Sequence, residues 1–222
     1  MRHGLVLVAL TPGLSAATSC DPPVTAPTAP SPSAATPSAT GGPKVPGPNG
    51  AGIRLLVTPR PDGSFVVTER VVLRRPVSTL PLRLPDVKQA KGAVIRPAAV
   101  DLKVSADDVA VAAAPIVVTS STELVLGTPG TVIEFRYRLT GTTWRAEPSP
   151  PGRVLSLITP LAAGADETLP TVILVGSGLR NASCPELPEP RCAFGAQPHL
   201  TVQPDIPAGQ ATVILQLDLP KS

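Results

Sequence analysis

"TVIEFRYRLTG", residues 131–141, decides how this chain folds. Ile133, Phe135, Tyr137 and Leu139 alternate strictly with Glu134, Arg136 and Arg138. A β-strand turns successive side chains to opposite faces, so a period of two places one apolar face inward and one charged face in water. Wound as a helix, the same residues would scatter their charges around the axis. Gly130 and Gly141 bound the run as turn signals. The ladder Glu134, Arg136, Arg138 reads as a solvated strand face, with ligand binding as the alternative.

Towards the N-terminus, "IRLLVTPRPDGSFVVTERVVLRR", residues 53–75, reads as two strands around Pro61-Asp62-Gly63. Proline presets φ in such a turn and glycine accepts a positive φ. Phe65, Val67, Val71 and Leu73 share one side of the second strand, and Glu69 interrupts it. Val66, Thr68, Arg70 and Val72 hold the other side, so both faces are expected to be partly buried. Further strands are predicted over 78–84, 93–104, 108–112, 115–119, 122–126, 154–159, 171–175, 199–203 and 211–219. Short strands with regular turn signals predict an all-β domain, an antiparallel β-sandwich, over residues 51–222. Pro81, Pro97 and Pro115 point to edges or bulges, because proline cannot donate to a sheet ladder. The helix-like window "ADDVAVAAAP" is cut short by Pro115, and "AAGADETLP", residues 162–170, suits a single turn. The stretch "PDGSFVVTERVVL" also resembles the opening hairpin of β-sandwich domains in bacterial exported and membrane-anchored proteins of unknown function. That likeness supports the fold and brings no functional residue with it.

The aromatic residues are few (Phe65, Phe135, Tyr137, Trp144 and Phe194), so Val, Leu, Ile and Ala must fill the core. Arginine outnumbers lysine, and Ala and Pro abound, a GC-rich coding bias of the actinobacterial kind. The net charge is +3, with acids and bases mixed along the chain. Nucleic-acid binding calls for a clustered basic face, and none is expected from this distribution.

The chain opens with Arg2 and His3, continues with "GLVLVALTPGLSAA" and reaches Cys20 through small residues. A basic start, a short apolar core and small residues are the parts of a secretory signal. The apolar stretch is shorter than the roughly 20 residues a membrane-spanning helix needs. "AATSC", residues 16–20, resembles the lipobox of bacterial lipoproteins, in which the thiol just after the cleavage site is acylated. Ala17, Thr18 and Ser19 fill the three positions before Cys20, where the family usually has Leu first and Gly or Ala last. The resemblance implies a signal peptide over 1–19, lipid on Cys20 and an extracytoplasmic protein anchored to the cell membrane. Ordinary secretion after cleavage at Ala16 or Ala17 is the alternative. Residues 20–50 carry a proline every few positions and no apolar periodicity, and read as a disordered Pro/Ala/Ser/Thr linker. At about 3.1 Å per residue such a leash reaches several tens of ångströms.

If Cys20 carries lipid, Cys184 and Cys192 are left as a pair around "PELPEPR", a short loop suited to a disulfide in an oxidising compartment. A zinc site on these thiols and His199 would lack the usual ligand spacing, so no metal or other cofactor is expected. Catalytic motifs are also weak. His199 has no evident partner, and Ser177 in "VGSGL" lacks the glycine two residues earlier that a nucleophile elbow requires. Asp107-Asp108, Asp166-Glu167 and Glu186 with Glu189 read as turn or loop acids. Trp144 and Arg145, beside a proline-rich turn, are candidates for contact with a partner, with closure of the sandwich end as the plainer role. The expected function is non-catalytic binding or presentation at the bacterial cell envelope, its ligand an envelope protein or cell-wall component. The alternatives are an exported hydrolase-like enzyme and an accessory subunit of an envelope membrane-protein complex.

Overall fold

A computed structural model describes residues 50–221, apart from Lys91 and Ala113, so the signal segment, Cys20 and nearly all of the linker lie outside the described residues. The hairpin read around Pro61-Asp62-Gly63 is formed by β1 (Gly52–Pro59) and β2 (Phe65–Leu82), with Pro59 opposite Phe65. Gly63 takes φ +79°, and the Asp62 carboxylate accepts hydrogen bonds from the Ser64 amide and hydroxyl. The chain continues through β3 (Ala98–Ala106), β4 (Val109–Ala110), β5 (Val117–Val118), β6 (Thr122–Thr140) and β7 (Thr143–Trp144). It then forms β8 (Arg153–Ile158), β9 (Pro170–Val175), β10 (Leu179–Ser183), β11 (Ala193–Phe194), β12 (Thr201–Val202), β13 (Ile206–Pro207) and β14 (Val213–Asp218).

The large sheet runs β13-β9-β1-β2-β6-β3-β4, with β5 also on β3. The small sheet runs β10-β14-β8-β7, and β11 and β12 form a separate ribbon. The pairings are antiparallel except for β1 and β9, which run parallel from Ile53↔Thr171 to Val57↔Val175. This parallel neighbour makes the large sheet mixed. It arises because the chain leaves β8 in the small sheet and crosses to the large one before β9.

One apolar core fills the space between the sheets. The large sheet contributes Ile53, Leu55, Phe65, Val67, Ile133 and Phe135, and the small sheet contributes Val154, Ile158, Leu215 and Leu217. The alternation read over 131–139 is present: Ile133, Phe135, Tyr137 and Leu139 are buried while Arg136 is exposed. On β2, residues 65–73 bury every second side chain, Glu69 included, and Val66 and Arg70 remain exposed. This sheet-on-sheet packing is the predicted sandwich.

Several predicted boundaries are corrected. Residues 78–82 and 122–126 are not separate strands but the far ends of β2 and β6. Residues 73–76 are interposed opposite Thr131, and Ser78 opposite residues 126–129, so the two irregularities cancel and the register resumes at Thr79↔Val125. Pro81 sits where β2 has lost β1 as a neighbour, so its missing N–H breaks no ladder bond. The strand predicted over 93–104 starts only at Ala98, because Ala93 and Ile95 instead cover the outer face of the small sheet with Ala90, Leu157 and Ile214. The helix-like window is a tight hairpin, with Asp107 and Asp108 both at positive φ between Ala106 and Val109.

Cys184 and Cys192 form the expected disulfide, with both side chains fully buried in the core. Closing so short a loop is worth about 2–3 kcal/mol on the chain-entropy account. The double change Cys184→Ala/Cys192→Ala should therefore lower stability by about that amount in chemical denaturation. An unchanged midpoint would show that the ring adds nothing.

Candidate anion-binding face

The outer face of the large sheet gathers cations from four adjacent strands. Arg54 stands on β1, Arg70 on β2, Arg136 and Arg138 on β6, and Lys103 on β3. Arg54 lies directly opposite Arg70, and Lys103 directly opposite Arg136. Like charges placed across a ladder repel, so each pair costs stability unless a counter-charge is near. Arg70 has one in Glu134, at 2.8 Å. Among the described residues, Arg54, Arg60, Lys103 and Arg136 form no ion pair.

A bulge shapes this face. The β3–β6 register shifts between Val100 and Lys103, and Asp101 takes φ +57°. Asp101 comes within 3.6 Å of Arg138, a loose and exposed pairing. The result is a shallow cleft of about 490 Å³ lined by Arg60, Val66, Asp101, Lys103, Arg136 and Arg138. Between the cations the face shows Leu56 and Val66, which are 47% and 44% exposed. Its chemistry suits anions that are broad rather than point-like, because the charged strands span about 14 Å at the usual inter-strand spacing.

A second feature lies inside the sandwich. Glu69 is wholly buried on β2 and, among the described residues, has no cation beside it. Its carboxylate accepts hydrogen bonds from the amides of Leu161 (2.8 Å) and Ala162 (2.9 Å) and from the Tyr137 hydroxyl (3.1 Å). Burial pushes Glu69 up to about 7, although the three donors oppose the shift. The phenol of Tyr137 is raised well above its ordinary value by burial and by the Glu69 charge. The group ties the turn after β8 to the centre of the large sheet. It is enclosed by protein, which suits a structural tie better than a reacting acid.

The remaining sequence candidates are scattered. Trp144 is half-buried on β7 against the Ala90, Ile95 and Leu157 cluster, and Arg145 beside it is exposed. His199 and Ser177 are both exposed, with no side-chain hydrogen bond joining them among the described residues. Asp107 accepts from the amides of Thr131 and Val132, which holds its pKa below the ordinary value. Asp166 is held by Thr168 and Arg74, Glu167 pairs with Arg83, and Glu186 and Glu189 are exposed in the disulfide loop. Among the described residues no three His, Cys, Asp or Glu side chains are placed to hold a metal ion.

No protein-family profile matches the chain, and no curated protein matches it in sequence. Its fold is similar to part of an aminopeptidase N family protein from Idiomarina loihiensis, with TM-score 0.44 and 10% identity over 75% of this chain and 29% of that one. It is also similar to part of an M1 zinc metallopeptidase from Deinococcus radiodurans, with TM-score 0.37 and 16% identity over 74% of this chain and 40% of that one. A two-domain M1 zinc metallopeptidase gives TM-score 0.34 and 17% identity, over 76% of this chain and 38% of that one. The chain thus corresponds to well under half the length of each enzyme. At such values the likeness is one of strand arrangement and carries no argument about chemistry.

Proposed function

We propose that this protein is a lipid-anchored, extracytoplasmic β-sandwich with a non-catalytic binding role at the bacterial cell envelope. The observation that carries the reading is "AATSC" followed by the proline-rich run that leads into β1. A thiol at that place, behind a short apolar stretch, is the acceptor that a lipoprotein requires. The buried Cys184–Cys192 disulfide supports an oxidising location, because such bonds persist mainly outside the cytoplasm. The exposed, cation-rich sheet face supports a binding role, since it offers charge and area.

The test is fractionation of cells producing the Cys20→Ser chain, with the membranes washed in high salt. The native chain should remain in the membrane and enter detergent, and the variant should leave with the wash or the medium. A native chain whose mass shows no added lipid, or a variant that resists the high-salt wash, would sink the anchoring.

A further inference from the structure

We infer that the cationic face of the large sheet docks on the anionic phospholipid surface of the membrane to which the chain is tethered. The membrane as occupant rests on the lipid-anchor reading, whereas the basic face itself does not. Three observations favour this occupant. First, Arg54, Arg60, Lys103 and Arg136 form no ion pair among the described residues, and Lys103 and Arg136 repel each other across the ladder. A layer of anionic headgroups supplies the counter-charge that relieves that repulsion. Second, Leu56 and Val66 stand exposed among the cations, an arrangement that suits the boundary between headgroup and acyl chain. Third, the sequence between Cys20 and Gly50 extends to at most about 100 Å, so the domain stays close to the surface that holds its lipid. Attraction of each basic residue to such a surface is weak, but tethering makes the encounter intramolecular and raises its effective concentration.

The test uses residues 20–222 with Cys20→Ser, the chain that the proposed signal cleavage leaves, so that it reads the face and neither the lipid nor the apolar leader. It should sediment with vesicles of phosphatidylglycerol and not with vesicles of phosphatidylcholine. Raising salt from about 0.1 M to about 0.5 M should release it, because screening shortens to a few ångströms. Lys103→Glu/Arg136→Glu should weaken vesicle binding by about tenfold or more. A charge-matched control, Lys88→Glu/Arg191→Glu, changes exposed residues on the small-sheet side and should bind like the parent. Circular dichroism melts of both double variants establish that they are folded. Equal binding to the two vesicle types, or equal loss in the two double variants, would overturn the inference. So would failure to bind vesicles by a chain that binds a soluble acidic protein through the same residues. None of these results bears on whether Cys20 is acylated, which the fractionation decides separately.

Discussion

Phe135→Ala should destabilise the domain by about 3–5 kcal/mol, while Arg136→Ala, its immediate neighbour, should change stability by no more than about 0.5 kcal/mol. Phe135 lies on β6 between β2 and β3, opposite Glu69 on one side and Val104 on the other, and has no solvent exposure. Removing its ring takes a large apolar surface from the core and leaves a cavity that neighbouring strands can only partly close. Arg136 projects to the opposite face, exposed and across from Lys103, so its loss even relieves a repulsion. A loss of about 3–5 kcal/mol is a large part of the roughly 5–15 kcal/mol that holds an ordinary domain together. In a domain of this size it should lower Tm by roughly 6–20 °C. Thermal melts of residues 51–222 decide the matter. Equal losses from the two changes would mean that both faces of β6 are buried, and no loss from Phe135→Ala would contradict the core itself.

The strand 131–139 was legible because its two faces differ so sharply in chemistry. The Pro61-Asp62-Gly63 turn was legible because proline and glycine mark a local backbone geometry. The disulfide followed from cysteine count and spacing. The full lengths of β2 and β6 were not legible. Pro76 and the Gly127–Gly130 stretch are local turn signals, yet here they lie in two opposed irregularities of one continuous ladder. The β1–β9 pairing joins distant segments in parallel, and no local pattern announces it.

Of the basic face only the ladder Glu134, Arg136, Arg138 was legible, as the ligand-binding alternative, and its joining with Arg54 and Lys103 was hidden for a different reason. Along the chain the cations are interspersed with acids, and only the fold separates them. Asp166 and Glu167 are drawn to Arg74 and Arg83, and Asp218 to Arg153 and Arg180. Lys103 and Arg136 then meet across one ladder, and Arg54 and Arg70 across another on the same face, with too few carboxylates beside them. A mixed sequence thus becomes an asymmetric surface, and asymmetry of charge is what a weak, salt-sensitive docking interaction requires.

Glu69 should make the domain more stable at pH 5 than at pH 8, and Glu69→Gln should abolish that difference. The pKa rises from 4.5 to about 7 on folding. The folded protein therefore holds a proton that the unfolded chain releases, and the resulting stability is present at low pH and lost as pH rises through 7. Between pH 8 and pH 5 the gain is about 2–3 kcal/mol, or roughly 5–10 °C in Tm. The Tyr137 hydroxyl, which donates to the carboxylate, can accept from the carboxylic acid, so the buried group keeps its partner in both states. Asp62, Asp107, Asp166 and Asp218 are shifted the opposite way, to below 3.8. Their contributions are lost only as pH falls further, so they leave the interval from pH 8 to pH 5 clear. Glutamine preserves the volume but turns an NH₂ group towards amides that need an acceptor, and should cost about 1–3 kcal/mol at pH 5. Glu69→Ala removes the acceptors for both Leu161 and Ala162 and opens a cavity, and should cost about 3–5 kcal/mol. Denaturation curves of the three proteins at pH 5 and pH 8 provide the measurement. A wild-type protein whose stability rises towards pH 8, or a Glu69→Gln protein that keeps the wild-type slope, would show that Glu69 is ionised at both pH values and that its three hydrogen-bond donors outweigh burial.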